Sequence, residues 1–308
     1  MEPVPRIPPL PEILAGRRIA ILGGGTVGQA LGSLLREAGL PPVAVTCRDR
    51  GHATAAALAT GGEPLTDNAE AASRADLLLV TAADRDVAAV AVDAARGVKP
   101  GTIAAHTSGA LGLAPLAALR EAGAYVGSIH PLQAFASVEH AVRELPGSVF
   151  GVTADHEAES VLDALVALVG GVPVPVAEDA RPLYHAAACL ASNYLVALED
   201  LAIGVLTAAG FDDALAAKAL EPLLRGTVGN VRRCGTTMAL TGPIVRGDVQ
   251  TVRGHLAALA GRAPDALPSY RALGEHAVDM AIERGSIDEA TADELRAVLG
   301  GTGEAPCD

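Results

Sequence analysis

The feature that most constrains this chain is a glycine cluster set between a short apolar run and a helical pattern. Arg17-Arg18-Ile19-Ala20-Ile21-Leu22 reads as a buried strand, Gly23-Gly24-Gly25-Thr26-Val27-Gly28 follows at once, and VGQALGSLLREAG has helical periodicity. Strand, G-x-G-x-x-G and helix in that order are the opening of a dinucleotide-binding βαβ unit. Gly23 permits the tight turn, Gly25 lets the backbone approach a pyrophosphate, and Gly28 lets helix and strand pack closely. Thr26 and Val27 begin the helix, whose free N–H groups offer a local positive potential. The chain needs one, because 36 acids against 23 Lys and Arg give a formal charge of −13.

Six further short runs follow, PPVAVTC, ADLLLVTA, GTIAAHTS, AYVGSIH, GSVFGVT and GVPVPVAE, separated by Ala- and Leu-rich helical stretches. After Val176 the strands stop. Asp179 to Ala209, Asp212 to Leu224, Asp248 to Ala260 and Asp265 to Glu283 read as helices, with Asp248 and Asp288 as caps. The expected architecture is α/β: a Rossmann-type, mostly parallel sheet domain over residues 17–177, followed by an all-α C-terminal domain over 178–300 that serves substrate binding and dimerisation. The proline-rich residues 1–16 are expected to be an extended arm and residues 301–308 a disordered tail.

Composition removes several function classes. A strongly acidic chain lacks the basic face that nucleic acid or an anionic membrane requires, and with 2 % aromatics and no Trp it has no base-stacking platform. Cys47, Cys189, Cys234 and Cys307 form no CxxC, so reduced thiols and a cytoplasmic location are expected. The uncharged stretch Pro182 to Leu198 is short for a membrane span. There is no HExxH, no ligand cluster for a metal and no G-x-S-x-G elbow. Redox chemistry with a bound nucleotide is what remains.

Ligands of open α/β sheets sit outside the carboxyl ends of the strands, so polar residues there are the site candidates. The second strand ends Val45-Thr46-Cys47-Arg48-Asp49-Arg50. Cys47 and Arg48 stand where a ribose-binding acid is expected, and Arg48 with Arg50 could fork a 2′-phosphate, which favours NADP(H) over NAD. Thr81 ends the next strand of the nucleotide half. His106, Ser108 and Gly109 follow the GTIAAHTS run, and His130 and Gln133 follow AYVGSIH. On the long apolar helix, His185 and Ser192 share a face, with Asn193 about 12 Å from His185. Arg246, in the turn TGPIVRGD, could hold a substrate carboxylate.

At these residues the chain resembles a bacterial family of Rossmann-like proteins with a helical C-terminal domain of unknown function, within the 6-phosphogluconate dehydrogenase-like superfamily. The resemblance runs from RRIAILGGGTVGQAL through HTSGALG, GSIHPLQAFA and YHAAACLASNYLVAL to LTGPIVRGDVQTVRGHL. It implies an oxidoreductase related to ketopantoate reductases, which serve pantothenate synthesis and often dimerise through the helical domain. In those enzymes a lysine and two asparagines line the first interdomain helix; laid on this sequence they fall at His185, Cys189 and Asn193, and only Asn193 keeps its type. GSIHPLQ also resembles a histidine segment of prephenate dehydrogenases. The implied reaction is NADPH-dependent reduction of a small 2-oxo acid, with His185 or His130 supplying the proton, Asn193 and Ser108 orienting the substrate, and a homodimer as the working form. An imine reductase resembling pyrroline-5-carboxylate reductase and a non-catalytic NAD(P)-binding redox sensor are the alternatives.

Overall fold

The computed structural model describes residues 9–301. In chain order its elements are β1 (Ile19–Leu22), α1 (Thr26–Glu37), β2 (Ala44–Thr46), α2 (Arg50–Thr60), β3 (Glu63–Leu65), α3 (Asn68–Ser73), β4 (Leu77–Val80), α4 (Val87–Ala95), β5 (Ile103–His106), α5 (Ala117–Glu121), β6 (Tyr125–Pro131), α6 (Val138–Glu144), β7 (Val149–Ala154), α7 (His156–Leu168) and β8 (Val172–Pro175). Six helices complete it: α8 (Arg181–Ala191), α9 (Asn193–Ala208), α10 (Asp213–Ala239), α11 (Val249–Arg262), α12 (Leu267–Glu283) and α13 (Glu289–Gly300).

The eight strands form one sheet in the order β3-β2-β1-β4-β5-β6-β7-β8, parallel throughout except between β6 and β7. Alternation along each strand feeds two cores. Ile19, Ile21, Leu77, Leu79 and Ile103 face one side, against Leu31 and Leu34 of α1 and Leu162 and Leu165 of α7. Ala20, Leu22, Leu78, Val80 and Ala104 face the other, against Ala71, Ala91 and Leu119. A sheet covered on both faces needs continuous apolar strands, and IAIL and LLLV are buried at every position. The strand β3, absent from the sequence reading, is three residues long and carries Pro64; it is an edge strand, where a missing N–H leaves no central ladder bond unmade.

The chain separates into two compact units between Ala191 and Ser192. The sequence puts the boundary near residue 177, where strands end. Helix α8 nevertheless stays with the sheet, because its first residue, Arg181, is wholly buried there and bonds to residues of the sheet. Ser192 also interrupts what the sequence presents as one helix, its φ −124° and ψ −73° falling outside the helical region. The expected arm is described from residue 9 onward, where Glu12–Leu14 makes a 3-10 turn and Leu14 is buried, so that part is anchored rather than extended. The remainder of the arm and the tail after Gly301 lie outside the described residues.

In the second unit, Ile244, Val252, Leu256, Val278, Leu295 and Leu299 make a core between α11, α12 and α13. Asp248 and Asp288 cap α11 and α13, accepting from Thr251 N–H at 3.0 Å and Thr291 N–H at 2.9 Å. Helix α10 runs past the expected Leu224 to Ala239, with a bend at Gly235, whose φ of 77° few other residues adopt. Neither α9 nor α10 has found a full core: α9 buries no residue and α10 only Ala216.

Candidate functional site

The glycine loop is held by its own backbone. Gly23 and Gly24 N–H groups donate to the Thr46 carbonyl at 3.1 and 3.0 Å, the Gln29 amide donates to the Gly24 carbonyl at 2.8 Å, and the Thr81 hydroxyl donates to the Gly23 carbonyl. Gly23 has φ 119°, and a Cβ there would lie 2.9 Å from Ala82 N. At Gly28 a Cβ would strike the Gly23 carbonyl and lie 2.6 Å from Thr81 Oγ1. Gly25 differs: it caps α1 without a side-chain bond, and a Cβ there would meet nothing within 4 Å. Its backbone and the unpaired first N–H groups of α1 therefore face open space, which is the arrangement an anion needs.

That space is a cleft of about 650 Å³ at the ends of β1, β2 and β4. Arg48 lines it; Arg50 does not, standing exposed as the first residue of α2. Asp49 is committed elsewhere: it caps α2 by accepting from His52 N–H at 2.9 Å and pairs with the His52 ring, bonds that hold its carboxyl below the usual range. The acid that could have held a ribose hydroxyl thus lines the cleft beside Arg48 with both its oxygens engaged by His52. Two further expectations shift. Val27 packs its side chain on the core, leaving only its N–H for a ligand, and the Thr81 hydroxyl is spent on pinning the loop.

Beyond β5 and β6 the sequence-predicted residues His106, Ser108, Gly109, His130 and His185 come together, in two different capacities. His106 is fully buried, donates from Nε2 to the Gly112 carbonyl at 2.9 Å and accepts at Nδ1 from Ser108 N–H at 3.2 Å. Both nitrogens of His106, read from the sequence as a substrate ligand, are bonded within the 107–112 loop. The Ser108 hydroxyl accepts from Leu111 N–H, which leaves its own proton to donate, and its carbonyl accepts from Ser128 and Arg181. Gly109, by contrast, is the floor on which two imidazoles close. A Cβ there would lie 2.7 Å from His130 Nε2 and 2.6 Å from His185 Cδ2, and the two rings meet edge-on with centroids 5.9 Å apart.

Two residues of this cluster escaped the sequence reading. Arg181 is fully buried with no carboxylate bonded to it; it donates to Thr153 Oγ1 at 2.9 Å and to the Ser108 carbonyl, and its Nε has no partner. Tyr184 places its hydroxyl 3.0 Å from His130 Nδ1 and 3.2 Å from the His130 carbonyl. Arg181 precedes His185 by four residues in RPLYH, so helical spacing was the available signal for it, whereas Tyr184, directly before His185, offered none. Gln133 sets its amide 3.3 Å from Ser148 Oγ and on the Glu144 carbonyl, tying the α6 end to the residue before β7. Asn193 opens α9 and Arg246 lies exposed before α11, both in the second unit.

Burial first, then the charges of Arg181 and His185, push His130 down to about 4, against a smaller opposing pull from Asp84. His106 is lowered too, mainly by burial. The folded chain therefore keeps these rings neutral where an unfolded chain takes up protons. Stability is full above the ordinary histidine value of about 6.5 and falls as pH drops from there towards 4, by about 2 kcal/mol for His130 after solvent screening. His130→Gln should flatten that acid limb. Urea unfolding at a series of pH values checks it, and parallel curves for the two proteins would refute it.

Sheet order, glycine loop and strand-end cleft define a Rossmann-type nucleotide-binding protein with a helical second unit. More particularly, the chain joins a Rossmann-like domain, matched over residues 12–131, to a domain of unknown function, DUF2520, matched over residues 148–277. Among solved structures it is similar to a proposed NADP oxidoreductase from Bacteroides fragilis, with 23 % identity, TM-score 0.70, and 85 % of this chain and 98 % of that one covered. It is similar also to a protein from Thermotoga maritima, at 22 % identity and TM-score 0.62, covering 92 % and 98 %. A third is an imine reductase from Aspergillus terreus solved with NADPH4 and a dibenzazepine, at 19 % identity and TM-score 0.59, covering 90 % and 98 %.

Proposed function

We propose that the chain is an NADPH-dependent oxidoreductase that reduces a small 2-oxo acid, with ketopantoate the leading substrate and pantothenate synthesis in the cytoplasm its setting. The observation that carries this reading is the continuity of the site: the glycine-loop cleft spans the ends of β1, β2 and β4, and the next strand ends, β5 and β6, bring His130 and Gly109 to His185. Bound NADPH supplies a hydride. This chain's part is to seat the phosphates on Gly25 and the start of α1, pair the 2′-phosphate with Arg48, and deliver a proton to the carbonyl oxygen from His185. The roles of Asn193 and Arg246 towards the substrate rest on the sequence alone.

The test is a titration of the purified protein with NADPH and NADH, followed by NADPH oxidation against a panel headed by ketopantoate and including pyrroline-5-carboxylate. Turnover of one oxo acid supports the reading. Tight NADPH binding with no turnover would point to a redox sensor, and binding of neither nucleotide would sink the proposal. Arg48→Ala should lower the preference for NADPH over NADH by about ten- to a hundredfold, the worth of one or two charge-assisted bonds. An unchanged ratio would remove Arg48 from the 2′-phosphate. An imine substrate is the second reading, favoured by the neutral state of His130, since a preprotonated C=N needs no acid from the protein.

The proposal includes a homodimer formed through the second unit. Leu195, Val196 and Leu198 of α9 and Leu215, Leu223, Val228 and Met238 of α10 are exposed, an amount of uncovered apolar side chain suited to an interface. The stretch Glu178–Ala208 is apolar and long enough to cross a membrane by length and composition, which the sequence reading did not expect. Glu199 and Asp200 sit within it, however, and α10 repeats the exposed face, as a second copy would require. Sedimentation should give about twice 30.9 kDa. A single 30.9 kDa species, or flotation with lipid vesicles, would defeat the dimer.

A further inference from the structure

The hydroxyl of Tyr184 lies within bonding distance of two atoms of one residue, His130 Nδ1 at 3.0 Å and the His130 carbonyl at 3.2 Å. A phenol has one proton and a carbonyl can only accept. Both bonds form together in one way: Tyr184 donates to the carbonyl, and Nδ1–H donates to the phenol oxygen. The ring proton of neutral His130 is then on Nδ1, and Nε2 carries a lone pair. Gly151, opposite His130 on β7, makes the seat possible, since a Cβ there would lie 2.9 Å from the Tyr184 hydroxyl.

Nε2 has no hydrogen-bond partner among the described residues, and it is not sealed from solvent as the Arg181 Nε is. It stands over Gly109, 2.7 Å from where a Cβ would be, with His185 on the other side. The groups that face His130 are Tyr184, Arg181 and His185 from α8, His106 from β5, and Asp84 after β4; the buried guanidinium of Arg181 is the largest charge influence on it.

We propose that His130 Nε2 is a hydrogen-bond acceptor for the ligand, held in that tautomer by Tyr184, so that the group recognised there brings an O–H or N–H. The inference rests on the oxidoreductase reading and deepens it. Of an alcohol–carbonyl pair, only the reduced member, the alcohol, can donate to Nε2, since a carbonyl oxygen only accepts. His130 then selects the reduced member, and in carbonyl reduction it is not the source of the proton: hydride goes to carbon, and the proton reaches oxygen from His185, which solvent reprotonates. The positive charge of Arg181 favours a neutral or anionic ligand, hence a hydroxyl before an ammonium. Tyr184 is a positioning residue that acts through His130.

The tautomer is read directly from long-range proton–nitrogen correlations of histidine in the full-length protein labelled with nitrogen-15, with His130→Gln giving the assignment. The expected pattern is Nδ1–H with an unprotonated Nε2 at neutral pH, reverting in Tyr184→Phe to the Nε2–H form that free histidine prefers. Nε2–H in the wild type, or no change in Tyr184→Phe, would overturn the proposal. Lactate and pyrrolidine are then added separately at saturating concentration, with pyruvate as the donor-free control. A shift of the Nε2 resonance with lactate assigns a hydroxyl and a shift with pyrrolidine an amine; an equal shift with pyruvate, or none with either donor, overturns ligand recognition by Nε2. None of these readouts needs turnover. A failure of NADPH oxidation would count against the oxidoreductase reading and leave the tautomer standing.

Discussion

His185→Ala is expected to lower kcat by about two to four orders of magnitude, the usual worth of a positioned proton donor, while NADPH affinity stays within about twofold. The separation of effects follows from the geometry. The His185 ring closes on Gly109 and meets His130 edge-on, whereas the backbone proposed to seat the phosphates is at Gly25 and the start of α1, in the cleft lined by Arg48. Its Nδ1 lies 3.8 Å from Cys189 Sγ, a weak partner that leaves the ring without a strong competing bond. His130 cannot take over the task, because it is held neutral with its proton turned to Tyr184. Single-turnover measurement with saturating NADPH distinguishes loss of chemistry from loss of binding. A variant that keeps full kcat would move the proton source elsewhere, and one that loses NADPH binding would place the cofactor against α8.

Gly28→Val should weaken NADPH binding by at least about a hundredfold and lower stability by about 1–3 kcal/mol, the range for overpacking a filled site. A Cβ at residue 28 has no room: it meets the Gly23 carbonyl, Thr81 Oγ1 at 2.6 Å and Ile21 Cγ2 at 3.1 Å. The obstructing atoms cannot step aside, since Gly23 is tied on one side to Thr46 and on the other to Thr81. Moving that loop moves the first turn of α1 with it. Gly25→Ala is the companion variant, because its Cβ enters open space; it should keep the stability of the parent and still lose affinity through collision with the bound phosphates. Thermal unfolding together with NADPH titration separates the two. If Gly28→Val binds NADPH normally, the phosphates do not rest on this loop.

The first half of the fold was legible because its signals are local. A strand buried on both faces must be apolar at every position, and a loop that crosses another backbone must be glycine, so IAILGGGTVG declares both. The caps Asp248 and Asp288 were legible for the same reason, their partners lying three residues away. Strand β3 was not, since three residues on a sheet edge carry too little periodicity to read. The boundary near 177 followed the last strand, whereas the compact unit extends to Ala191 because Arg181 bonds to Ser108, far away in sequence.

Within the site, the sequence by itself determined which residue types arrive at the strand ends: His106, Ser108, Gly109 and His130 were placed there by strand length and sheet order alone. Only the tertiary structure decided what each does. His106 and His130 end neighbouring strands with the same chemistry, yet one has both nitrogens occupied by the 107–112 loop and the other keeps Nε2 free over Gly109. The physical reason is that a side chain's type is fixed by the chain, while its free valences are what remain after its neighbours have been satisfied. For His106 those neighbours are the local Ser108 and Gly112, whereas for His130 the neighbour is Tyr184, from a segment that no local pattern connects to β6.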